Sequence, residues 1–525
     1  MRAVMRFASG LLRHPMTPLA ALGILLMLPS FLFGPGANHS YLYNYMWTGH
    51  FGEQMAAGQL YERWLPNSFE GLGSPTFYFY PPLAYWLSGG LAAIGIPVLQ
   101  AINVAALLLL IASGMAMHRW LASRGTHPLL GAALYMLAPY HLHDFYVRGA
   151  LAEFASFIWL PLIALGIARL PSRSGIALLA LSYGALILTH LPVATLTGPF
   201  LIAPLMLHRI WQDRSTLVPG LIAGILAFTL AAFYLLPAAT LQAHMSTALL
   251  WTGKYHAANW SIWREDLLLF PCIALGLGLL AWPARSIWSG IAIVTALASI
   301  NLIPFLWQID LLDKTQFPWR ALGIVEFTTI TALMTYRPRP VLLAGAGVLL
   351  LFPYLVSGII TCANLRLPID YARLDRTVPD APEYLPAGFD IARVDRYDRS
   401  TDLRPWRALP RGDRIVITRP GPVTMGHAAF PIWQVTHNGQ PVPSHGPLIS
   451  FDARPGIYQI ERVRLWQESV GTAISLAAAL MLALLLWRRR ISHLSKFPAY
   501  SPSPAMVNRP ILGWLARSQN SGGEL

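Results

Sequence analysis

Residues 98–118, VLQAINVAALLLLIASGMAMH, contain no Asp, Glu, Lys or Arg. About 20 apolar residues in a helix rising 1.5 Å per residue cross the hydrocarbon core of a bilayer, so this run reads as a membrane span. Arg119 and Arg124 follow it at once. Working outward, further apolar runs occupy 17–35, 127–140, 152–170, 174–190, 192–207, 216–237, 265–284, 286–306, 319–336, 340–361 and 468–487. The expected fold is an α-helical polytopic membrane protein of about 12 spans, with a small all-β extracytoplasmic domain.

Composition agrees. The chain is 55% hydrophobic and only 12% charged, against about 25% charged residues in soluble domains. That is too little charge to coat a soluble protein of 525 residues. The net charge of +14 would suit nucleic-acid binding, but its placement excludes that class. Arg2, Arg6 and Arg13 precede the first apolar run, and Arg488, Arg489 and Arg490 follow the last. With a cytoplasmic N-terminus, Arg119 and Arg124, Arg169 and Arg173, Arg209 and Arg214, Arg285, and Arg337 and Arg339 all fall inside, as the positive-inside rule requires. The opposite orientation would export nearly all of them. Both termini are therefore expected in the cytoplasm of a multi-pass membrane protein. The pattern also requires Tyr80 to Ile96, broken by Pro81-Pro82 and Gly89-Gly90, to lie along the outer interface rather than cross. Pro18 to Phe33 lacks a small-residue cleavage site and reads as a retained helix. Cys272 and Cys362 form neither a disulfide framework nor a metal-ligand spacing.

The expected organisation is a transmembrane core over 1–361, with a long first outer loop at 36–97. A β-rich extracytoplasmic domain over 362–467, a final span at 468–487 and a disordered cytoplasmic tail at 488–525 complete it. Short alternating runs mark the β region, and Asn438-Gly439 between two of them is a hairpin turn signal. Long outer elements and short inner ones place chemistry on the outer face.

Ionisable groups stand out in so apolar a chain and are functional candidates near a bilayer. The first outer segment carries Asn38 and His39; the second carries Asp144 and Arg148, one helical turn apart, with Glu153 entering the next span. A four-residue spacing permits an ion pair. His190 ends the fifth apolar run, and Lys314, Gln316 and Arg320 lie in the DKTQFPWR stretch. His141-x-His143 reads as solvated, and Phe77-Tyr78-Phe79-Tyr80 as an interfacial anchor. Arg148, Lys314 and Arg320 together would suit an anionic headgroup, since arginine grips phosphate bidentately.

Four motifs carry a resemblance: Gly58-x-Leu60-Tyr61-x-Arg63-Trp64; Gly71-x-Gly73-x-Pro75-x-Phe77-x-Phe79-Tyr80-Pro81-Pro82; Tyr146-x-Arg148-Gly149-Ala150-x-x-Glu153-Phe154; and Gln316-Phe317-Pro318-Trp319-Arg320. With Glu383-Tyr384-Leu385-Pro386 and Phe430-Pro431-x-Trp433, the chain resembles a bacterial membrane family labelled 6-pyruvoyl-tetrahydropterin synthase-related. That family is similar in turn to YfhO-type and other glycosyltransferases of the GT-C fold. The pterin label has no counterpart in zinc-site spacing here.

The resemblance implies transfer of a sugar from a polyprenyl-phosphate donor to a glycan or lipid acceptor, at the outer face of a bacterial inner membrane. It also implies an acidic residue in the first outer loop, as base or as ligand of a divalent metal. Asn38-His39 stands there instead. The base is then expected among His39, Asp144 and Glu153. Asn38, Arg148, His190, Lys314, Gln316 and Arg320 are expected to bind substrate. Two other readings compete. Asn38 favours a non-catalytic lipid-linked-glycan binding or assembly protein. A transporter or flippase would instead carry its ionisable groups at mid-depth on broken helices.

Overall fold

A computed structural model describes residues 15–246, 255–260, 268–336, 338–389, 406 and 408–494; the tail expected to be disordered is outside these from 495 onward, as are Arg2, Arg6, Arg13 and Arg337. The described residues are mainly helical, and among them six helices are long and apolar enough to cross a membrane: Met16–Phe33, Val98–Ala122, Leu151–Ala168, Leu191–Gln212, Pro340–Arg366 and Trp466–Trp487. Arg214–Leu230 and Ala232–Thr240 pass the same test together but are bent by 68°. The remaining expected spans coincide with shorter helices, Pro128–Met136, Arg173–Thr189, Leu269–Ala281, Ile287–Ser299 and Leu322–Leu333. Pro139 ends the first of these early, because the residue before a proline avoids the helical region; Ala138 is extended, with φ −56° and ψ 138°.

Burial sorts the helices by position. The apolar window of Leu151–Ala168 is 78% buried and that of Pro340–Arg366 only 11%, so the first is enclosed by neighbours while the second offers Val341, Val348 and Ile359 to lipid.

The segment 36–97 is a folded layer rather than a loop. Helices Tyr41–Ala56 and Leu83–Ala93 pack face to face. A Cβ on Gly52 would stand 3.0 Å from the Gly89 carbonyl oxygen, so two glycines permit the approach. Trp47, Phe51, Phe77, Tyr80 and Tyr85 form the aromatic centre of the layer. This corrects the reading of Phe77 to Tyr80 as a headgroup anchor. Phe77 and Tyr78 are fully buried, with the Tyr78 hydroxyl donating to Glu468 Oε1 at 2.8 Å. The protein itself supplies partners for ring and hydroxyl alike.

The β region comprises β1 (Arg414–Ile417), β2 (Gly421–Ala428), β3 (Trp433–His437), β4 (Gln440–Val442), β5 (Leu448–Ala453) and β6 (Gly456–Arg462). One antiparallel sheet runs β1-β6-β3-β4 and a second pairs β2 with β5. Met425, Ile449 and Phe451 of one sheet meet Val435, Tyr458 and Ile460 of the other in a small core. His437 pairs with Gln440 across Asn438 (φ 51°) and Gly439 (φ 74°), the two left-handed residues of a tight hairpin. Trp64 of the outer layer stacks on His427 at 5.5 Å and meets Trp433 edge-on, and the Ala428 amide donates to the Leu72 carbonyl. These contacts seat the module on segment 36–97.

Candidate functional site

Helix Pro139–Tyr146 starts the site. Its proline sits in the first turn, where no amide hydrogen is missed. The Glu326 carboxylate receives the Tyr140 amide at 2.6 Å and the His141 amide at 3.2 Å. Those are buried donors of a helix N-terminus with no partner inside the helix, and negative charge is favoured there. Helical spacing then aligns Tyr140, Asp144 and Arg148 on one face. The helix ends at Tyr146, and the turn that follows closes on Gly149, whose φ of +62° is a left-handed stop. A Cβ there would lie 1.9 Å from Asn38 Oδ1, so glycine is required twice over. The next helix opens at Leu151 and carries Glu153 in its first turn.

Four charges converge. Arg148 Nη1 lies 2.5 Å from Asp144 Oδ1 and 2.8 Å from Glu153 Oε2, and donates to the Tyr140 hydroxyl at 2.8 Å. Tyr140 donates in turn to Glu153 Oε1 at 2.5 Å. Arg320 Nε reaches Glu153 Oε2 at 3.2 Å and its Nη1 donates to the Thr315 carbonyl. Two carboxylates face two guanidiniums, the balance that burial of charge demands. Arg148 Nε and Nη2, and Arg320 Nη2, make no hydrogen bond to the described residues, which leaves donors for a ligand.

These groups border a cavity of about 920 Å³ lined by seven of the nine expected site residues: His39, Arg148, Glu153, His190, Lys314, Gln316 and Arg320. Asp144 and Asn38 are not on the wall. Asp144 is fully buried and bound to Arg148, which removes it as a base for anything in the cavity. Asn38 turns its amide to the Pro35 carbonyl at 3.1 Å and is pressed against Gly149, so its expected substrate contact is corrected to a structural one. Glu153 reaches the wall, yet both its oxygens are engaged; it holds the arginines and is poorly disposed to take a proton. His39 is exposed on the wall.

His190 caps the helix that follows it. Its Nδ1 accepts the Val193 amide at 3.3 Å, which leaves the proton on Nε2 as a donor. Lys314 pairs with Asp310 at 2.7 Å, both exposed. Gln316 holds a φ of +67° in the turn before Arg320. His141 and His143 are buried rather than solvated. His141 stacks on Phe157 at 3.8 Å, and His143 meets Ser357 at 2.9 Å. Burial first, then Arg148, pushes His143 down to about 3, so it stands neutral on the wall. Among the described residues no three His, Cys, Asp or Glu side chains group as metal ligands.

One wall residue was not singled out from sequence. Glu383 lines the cavity with Tyr384; its carboxylate accepts its own backbone amide and forms no ion pair with a described residue. Burial, then the Asp380 charge, pushes its carboxyl up to about 7. Its segment is fixed by Asp380, which accepts hydrogen bonds from Trp47 Nε1 (2.8 Å), Ser68 Oγ (2.8 Å) and Thr76 Oγ1 (2.7 Å). The available signal was the Glu383-Tyr384-Leu385-Pro386 motif. Nothing local in it shows that the carboxylate lacks a cationic partner among the described residues.

No protein-family model and no curated protein matches the sequence. Among solved structures, the arabinofuranosyltransferase AftD from mycobacteria is similar at a TM-score of 0.42 and 17% identity, over 67% of this chain and 27% of that one. A mutant form of AftD gives 0.39 and 18%, over 67% and 28%. The chain thus spans little more than a quarter of the length of the structures it matches.

Proposed function

We propose that the chain is a glycosyltransferase of the GT-C kind, taking a sugar from a polyprenyl-phosphate donor at the outer face of a bacterial inner membrane. The observation that carries the reading is the gathering of Arg148, His190, Lys314 and Arg320 from three separate stretches on one cavity wall. Transfer from a lipid phosphate needs little protein chemistry beyond positioning the two reactants and stabilising charge on the departing phosphate. Arg148 and Arg320, braced by Glu153, donate to phosphate oxygens through their remaining nitrogens, and His190 adds its Nε2–H. The Asp144, Glu153, Arg148 and Arg320 set is neutral, so the incoming phosphate gains its net attraction from Lys314. The exposed Asp310 partner holds that lysine only weakly, as surface pairs do. Leu191, Leu269, Leu311 and Ile360 on the same wall suit the first isoprene units of the donor. The about 12 spans and the cytoplasmic termini belong to this reading.

The test is transfer from labelled polyprenyl-phosphate sugars by the full chain in nanodiscs, with membrane glycolipids as acceptors. Transfer that Arg148→Ala and Arg320→Ala each lower by about 100- to 1,000-fold is the expected result. Saturable donor binding without turnover would instead mark a lipid-linked-glycan binding protein.

A further inference from the structure

We propose that Glu383 takes the proton from the acceptor hydroxyl, and that Trp47, Tyr80 and Tyr384 beside it seat the acceptor sugar. The inference rests on the transferase reading and deepens it. Glu153 and Glu383 are the carboxylates on the cavity wall among the described residues. Glu153 is bound by Tyr140, Arg148 and Arg320, and a carboxylate so held is a poor base. Glu383 has no such partner. The charge acting on it is the negative one of Asp380, which favours accepting a proton.

His39 is the other basic group on the wall, but it sits at the cationic end: its amide donates to the Val147 carbonyl, next to Arg148. A proton taken up there would add positive charge where the donor phosphate is held. The wall around Glu383 has a different character. Trp47 and Tyr80 lie 4.6 Å apart between ring centroids, and the Tyr384 ring stacks on Phe79. Aromatic faces suit the C–H face of a sugar. The Asp380 clamp on Trp47, Ser68 and Thr76 fixes the backbone from which Glu383 projects.

In the step, the acceptor oxygen forms a bond to the anomeric carbon while the bond from that carbon to the phosphate oxygen breaks. The electron pair leaves with polyprenyl phosphate, held by Arg148, His190 and Arg320. The hydroxyl proton passes to Glu383 and is released to water as product departs. A carboxyl near pH 7 accepts that proton and returns it at neutral pH. The titratable groups facing Glu383 are Asp380 and Tyr384, with Tyr80 and Tyr234 beyond.

The experiment uses the full chain in nanodiscs and a panel of polyprenyl-phosphate glucose, mannose, galactose and arabinose. It measures donor binding separately from the transfer rate across pH 5–9. Glu383→Gln is expected to lower transfer about 100- to 10,000-fold, with donor affinity within about threefold of wild type. Wild-type transfer is expected to fall as pH drops through about 7, and Glu383→Asp to keep partial activity with a displaced acid limb. A Glu383→Gln protein that transfers within threefold of wild type, or that loses donor binding as Arg148→Ala does, overturns the assignment. If wild type binds polyprenyl phosphate and transfers nothing across the panel, the transferase reading itself falls. Transfer by both proteins removes only the role of Glu383.

Discussion

Gly149 joins the two halves of the cationic end, because its left-handed backbone lets the chain turn from Arg148 to Glu153. Gly149→Ala is expected to cost about 1–3 kcal/mol from overpacking against Asn38, visible as a lowered melting temperature in detergent. Arg148→Ala keeps that turn but removes the donor shared by Asp144, Glu153 and Tyr140. A transfer loss of about 100- to 1,000-fold is expected, the scale of one deleted transition-state donor, checked in single-turnover assays. The Asp144–Arg148 pair was legible in sequence because four-residue spacing in a helix is local geometry. The Glu153–Arg320 contact spans 167 residues and nothing local announces it. The same limit hid the engagement of Glu153 and the open carboxylate of Glu383, because a charge's partners are set by the fold.

At the scale of elements, the last helix is tied to the outer layer by ion pairs. Glu468 Oε1 lies 3.0 Å from Arg63 Nη1, and Glu468 Oε2 accepts the Leu465 amide at the helix start. Both side chains are about nine-tenths buried. Glu468→Ala should cost about 3–5 kcal/mol by stranding a buried arginine, measured as loss of thermal stability. Combining it with Arg63→Ala should recover part of that loss. Apolar runs disclosed the helices, since a chain solvated by lipid needs long stretches without charge. Aromatic composition misled at Phe77 to Tyr80, because a membrane interface and a protein core both welcome tyrosine beside phenylalanine.

For the whole molecule, sidedness is the property that sequence stated and that experiment can read. The Asn438-Gly439 turn is exposed on the β module, and the reading places that module outside. A cysteine introduced as Asn438→Cys should react with a membrane-impermeant maleimide on intact cells, whereas a reporter fused after the last helix should stay protected. Reaction at neither or both positions would overturn the assigned orientation. The way the module seats on segment 36–97, through Trp64 between His427 and Trp433, was not legible. It joins stretches more than 300 residues apart, each of which reads as an ordinary surface.

The neutrality of the four-charge cluster has a consequence for biogenesis. Asp144, Arg148 and Glu153 leave the ribosome together with a surplus negative charge, and Arg320 follows 167 residues behind Glu153. Until that arginine is synthesised, the innermost helix carries an unmatched carboxylate at its edge. About a third of the chain is translated between Glu153 and Arg320, so the cluster is complete only when the late cation arrives.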